Sequence, residues 1–83
     1  LQAIKSYDAI VRAAAVNFFG QKNPVNFKIL REMLFSDSDA EVRRRCAIAL
    51  AQKLDRETQM ALLKALNDES ALVRSEVCRL IDK

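Results

Sequence analysis

DSDAEVRRRCAIALAQK, residues 37–53, decides the fold, because the chain writes the same pattern three times. Thirty-one residues earlier stands SYDAIVRAAAVNFFGQK (residues 6–22), and 31 later stands DESALVRSEVCRLIDK (residues 68–83). Val-Arg anchors each copy, as Val11-Arg12, Val42-Arg43 and Val73-Arg74. Around it Asp8, Asp39 and Ser70 share a column, Ala9, Ala40 and Ala71 another, and Gln21-Lys22 matches Gln52-Lys53. Phe19, Leu50 and Ile81 form a bulky column and Ala15, Cys46 and Val77 a smaller one. Between the copies Asp37 matches Asp68 and Phe35 matches Leu66. Self-similarity at a fixed period is the signature of a repeat architecture.

Each period holds two helical patterns. Asp8, Asp39 and Ser70 are N-cap residue types three positions before the valine, so helices are expected over about 8–21, 39–53 and 70–82. Partner helices are expected over about 24–35, with Pro24 in the first turn, and about 56–67, capped by Asp55. A partial partner helix over residues 1–6 completes a single array spanning 1–83.

Composition agrees with helices and little else. Gly and Pro occur once each in 83 residues, too few for the turns of a sheet protein. Twelve of the 42 hydrophobic residues are Ala, which suits closely packed helices. No apolar run approaches the ~18 residues of a membrane span. The charge balance, 14 basic against 11 acidic, is too mild for a dedicated nucleic-acid module. Two cysteines do not make a disulfide scaffold, and free thiols point to a reducing, cytoplasmic setting. With no His, imidazole catalysis and His-ligated metal are excluded, and no metal or cofactor is expected.

Projected at about 100° per residue, the Val-Arg helices separate two faces. One carries Val11, Ala15, Phe18 and Phe19; then Val42, Cys46, Ala49, Leu50 and Lys53; then Val73, Val77, Leu80 and Ile81, and reads as core. The other changes between copies: Ala13, Ala14, Asn17 and Gln21; Arg44, Arg45, Ile48 and Gln52; Ser75, Glu76 and Arg79. A constant core with a variable face is what a modular binding surface requires. Exposure of that face implies that reversing Arg44 and Arg45 leaves stability within ~0.5 kcal/mol.

The segments ILREMLFSDSDAEVRRRCAIALAQKL (29–54) and LLKALNDESALVRSEVCRLI (62–81), with Asp37…Arg43 and Asp68…Arg74, resemble HEAT repeats, in the short form of phycobilisome bilin lyase-like proteins. The resemblance implies an all-α fold: an α-solenoid of antiparallel helix pairs in right-handed superhelical stacking, with the Val-Arg helices on the concave face. It also implies a structural ladder of Asp37 and Asp68 with Arg12, Arg43 and Arg74, Arg43 lying against Asp37 or Asp68. Ser6 stands where the first repeat's Asp is expected, so the ladder is expected to be weaker there. Such repeats serve unrelated proteins, so the motif speaks for the fold rather than the function.

Other constellations have plainer readings. Asp37-Ser38-Asp39-Ala40-Glu41 imitates a calcium loop, but Val42 and Ile48 stand where Gly and Glu are needed. Cys46 and Cys78 read as small buried hydrophobes, and Phe18, Phe19, Phe27 and Phe35 as core. Arg45 is expected to pair with Glu76.

The leading expectation is a non-enzymatic scaffold that binds another protein on the inner-helix ridge. The alternative is a bilin lyase-like accessory or enzyme subunit handling a tetrapyrrole, and the third is nucleic-acid backbone binding through Arg44, Arg45, Arg79 and Lys83. The missing polar caps suggest a fragment of a longer array, or self-association through its ends.

Overall fold

The computed structural model describes residues 7–19, 24–52 and 55–82. Five helices follow one another: α1 (Ala9–Phe19), α2 (Pro24–Ser36), α3 (Ala40–Leu50), α4 (Arg56–Ala65) and α5 (Ala71–Ile81). The expected partial helix at 1–6, together with Gln21 and Lys53, lies outside the described residues. Two helices end earlier than the periodicity suggests, α3 at Leu50 and α4 at Ala65, where the chain closes in tightened turns, while α2 runs on to Ser36.

Local chemistry accounts for the starts. Asp39 has an extended backbone and accepts hydrogen bonds from the N–H groups of Glu41 and Val42, which α3 cannot satisfy itself. Asp55 accepts from Thr58 N–H at 2.8 Å, and Asp8 from Ile10 N–H at 2.9 Å. Ser70 departs from expectation. It occupies the cap position of α5, but its hydroxyl makes no capping bond. Its own N–H is instead drawn to the Asp68 carboxylate at 2.8 Å.

Two layers result. The Val-Arg helices α1, α3 and α5 stack side by side, and α2 and α4 form a second layer, α2 on α3 and α4 on α5. This is an all-α, solenoid-like arrangement. Between the layers lie Val16, Leu30, Leu34, Val42, Leu50, Leu62, Val73 and Val77, all buried. Cys46, Ala47, Ala49, Ala61 and Ala65 fill the close approaches, and burial stabilises at about 25 cal/mol per Å² of apolar surface.

Several residues assigned to the core stand outside it. Val11 is exposed and Ile81 41% exposed, because neither is covered by another helix among the described residues. Phe35 is 46% exposed, its ring lying under the Lys64 ammonium at 5.1 Å in a cation–π contact. Cys78 is exposed, whereas Cys46 is buried.

Candidate functional site

Along the edge where each outer helix turns into the next inner helix, arginines and aspartates alternate. Arg12 donates its Nε and Nη2 to the two oxygens of Asp37, both at 2.9 Å. Arg43 does the same to Asp68, at 2.8 and 3.1 Å, and sends its Nη1 back to the Asp37 carbonyl at 2.7 Å. Arg74 repeats the backward contact, to the Asp68 carbonyl at 2.7 Å. Arg12 and Arg43 therefore pair forward, each with the aspartate that opens the next inner helix. That geometry removes the reason to expect a weak rung at Arg12, since Ser6 precedes it and Asp37 supplies both oxygens.

These ion pairs are largely withdrawn from water. Arg43 and Asp68 side chains are 7% and 9% exposed. Burial, the largest influence, pushes the Asp68 carboxyl up; the Arg43 and Ser70 hydrogen bonds outweigh it and hold the group below the ordinary range. Hydrogen bonds to Asp68 and Asp37 raise the Arg43 and Arg12 guanidinium values.

On the exposed side of α3 and α5 lies a second charge system. Glu41 accepts Nε and Nη2 of Arg44 at 2.9 and 2.8 Å, and Nε of Arg45 at 2.8 Å. Arg44 Nη1 reaches across to Glu76 at 2.9 Å, and Glu76 accepts Arg79 Nη2 at 2.7 Å. The order is Arg45–Glu41–Arg44–Glu76–Arg79. Hydrogen bonds from Arg44 and then Arg45 hold the Glu41 carboxyl down at about 2. Those to Glu41 and Glu76 raise Arg44, and Arg79 lowers Glu76 most.

This network corrects three expectations. Glu76 is buried rather than exposed, because its carboxylate turns inward between two arginines. It pairs with Arg44, and Arg45 pairs instead with Glu41 one turn away on the same helix. Arg44 holds both carboxylates, so it is not the unpaired exposed side chain that a stability-neutral reversal assumes. Ala13 is buried too: its methyl lies on the α1–α3 seam, lining a groove of about 390 Å³ with Ile10, Glu41 and Arg45.

Ala14, Asn17, Ser75 and Arg79 are exposed, Arg44, Arg45 and Ile48 half-buried, and Gln52 exposed in the turn after α3. Gln21 lies outside the described residues. Glu41, Ile10 (80% exposed) and Leu72 (48% exposed) belong to this surface and were not singled out by sequence reasoning. They form one column at 31-residue spacing, which is the signal that marks them.

The family model for HEAT repeats matches residues 27–83, more than half of the chain. The chain belongs to the HEAT repeat family. Neither curated proteins nor solved structures give a match. HEAT repeats are commonly protein-interaction scaffolds and typically non-enzymatic. In this HEAT chain the buried Cys46 thiol is pushed up to about 12 by burial and, less, by Asp37, which keeps it protonated and unreactive. No described helix of the HEAT array is long and apolar enough to cross a membrane.

Proposed function

We propose that this HEAT array is a non-enzymatic protein-binding module that engages its partner along the exposed ridge of α1, α3 and α5. The observation that carries the reading is the charge chain from Arg45 to Arg79. Both carboxylates are consumed inside it, while Arg45 and Arg79 each spend one nitrogen on it and keep outward donors. Ile10 and Leu72 stand exposed on the same ridge. Outward cationic donors beside exposed aliphatic anchors favour a protein surface carrying carboxylates around an apolar contact.

Nucleic-acid backbone binding is less well supported. Glu41 and Glu76 offset two of the three arginines, and no aromatic side chain interleaves with them among the described residues. The tetrapyrrole reading rests on repeat length alone, and the family match is to HEAT repeats in general.

The test is capture and identification of a partner, followed by charge reversal. Arg45→Glu and Arg79→Glu should lose that partner, while Lys28→Glu on α2 should keep it. Retention by both ridge variants, with loss on the Lys28 reversal, would place the binding face on the other layer.

A further inference from the structure

A cleft of about 580 Å³ lies between the turn that joins α2 to α3 and the turn that joins α4 to α5, and it shares no residue with the ridge. One wall is a ladder rung. Arg43 holds the Asp68 carboxylate and the Asp37 carbonyl at once, and so ties the two turns together. Asp37 and Asp68 each fix their own turn further, by accepting the N–H of Asp39 at 2.9 Å and of Ser70 at 2.8 Å. The walls are thus pre-formed, and an occupant does not bear the cost of ordering them.

Lining the same cleft are groups that the repeat does not account for. Lys64, Asn67 and Glu69 stand 31 residues after Met33, Ser36 and Ser38, so neither their charges nor the carboxamide belongs to the recurring pattern. The Lys64 ammonium rests over the Phe35 ring, and about half of that ring stays exposed. The side chains of Ser38, Lys64, Asn67 and Glu69 are exposed and make no hydrogen bond or ion pair among the described residues. Asp37 and Asp68 are neutralised by Arg12 and Arg43. What remains is one ammonium and one carboxylate, beside a phenyl ring and a carboxamide.

We propose that this cleft binds a short zwitterionic peptide bearing an aromatic side chain, about a dipeptide in size. Its carboxylate pairs with Lys64 and its ammonium with Glu69, while its amide carbonyl accepts from the Asn67 side chain. Its ring packs against the open part of Phe35. The cleft volume of about 580 Å³ falls within the roughly 300–1,000 Å³ of small-ligand sites. A simple anion would be opposed by Glu69 and a simple cation by Lys64, so the fitting ligand carries both signs. A purely apolar ligand would cover the two charges and the carboxamide without pairing them, which is costly.

The test is titration of the isotope-labelled chain with glycyl-L-phenylalanine, followed by nuclear magnetic resonance at the Asn67 side-chain amide. Saturable shifts with a dissociation constant of roughly millimolar order are expected. N-acetyl-glycyl-L-phenylalanine amide, the same molecule without its two charges, should bind about tenfold more weakly. Lys64→Met and Glu69→Gln should each weaken the free dipeptide by about as much, with melting temperatures nearly held because both side chains are exposed. Arg79→Glu on the ridge should leave the titration unchanged, so that failure here and failure of the ridge reading are told apart. Absence of saturation overturns the proposal. Equal binding of the capped and free dipeptides, or unaltered binding by both cleft variants, overturns it as well, because the ring would then be the only contact. Shifts that saturate at Ile10 and Leu72 instead of Asn67 would put the ligand on the ridge and count equally against it.

Discussion

Removing Arg43 tests whether the edge ladder holds the repeats together. Arg43→Ala takes away three hydrogen bonds, two to Asp68 and one to the Asp37 carbonyl. It leaves a carboxylate that is 9% exposed and keeps the Ser70 N–H as a donor. Breaking a buried ion pair by deleting one partner costs ~3–5 kcal/mol, and the surviving Ser70 bond places this case near ~3 kcal/mol. An 83-residue domain has a total stability of only ~4–12 kcal/mol, so the loss is large. In a thermal melt followed by circular dichroism it corresponds to a drop of ~12 °C or more. Arg43→Lys should recover part of the loss, since charge remains but the fork does not. Arg74→Ala removes one contact from an exposed side chain and should cost under ~1 kcal/mol. Equal losses at Arg43 and Arg74, or a shift of only ~1 °C for Arg43→Ala, would refute the reasoning.

Acid should weaken the fold in a defined window: Glu41, Glu76 and Asp68 have folded-state values below their ordinary ones. Stability they contribute is therefore complete above the ordinary glutamate value of 4.5 and is lost as pH falls toward about 2 for Glu41; melting temperature against pH should show it, with Glu41→Gln flattening the curve. Native protein should present one fast-reacting thiol to iodoacetamide, eliminated by Cys78→Ser, with Cys46 reacting only on unfolding; two fast thiols would contradict the packing. Thr58 is buried and its hydroxyl has no partner among the described residues. Thr58→Val should raise stability by ~1 kcal/mol in urea titration, and a loss would show that the hydroxyl is satisfied.

What the sequence makes legible is the repeat and its helices, because a 31-residue period forces like residues into like environments. Helical projection locates a side chain relative to its own axis only. It cannot anticipate that Glu76 turns inward, since that depends on Arg44 reaching over from the neighbouring helix. Nor does it distinguish Cys78 from Ala47, one column with opposite burial, because burial there is decided by whether another helix lies alongside. Glu41 was legible by its spacing to Arg44 and Arg45, three and four residues on. Phe35 illustrates the opposite error: an aromatic at core spacing lies half outside, with the Lys64 ammonium over its ring.

The alternation of arginine and aspartate has a mechanical meaning. From Arg12 through the Asp37 side chain and backbone to Arg43, then through Asp68 to Arg74, every link is a hydrogen bond of 3.1 Å or less. The string runs along one border of the helix stack, at the outer-to-inner turns. Stretching that border breaks ion pairs. Parting successive inner helices along that border therefore costs ion pairs as well as apolar contact, which ties the displacement of each repeat to that of the next.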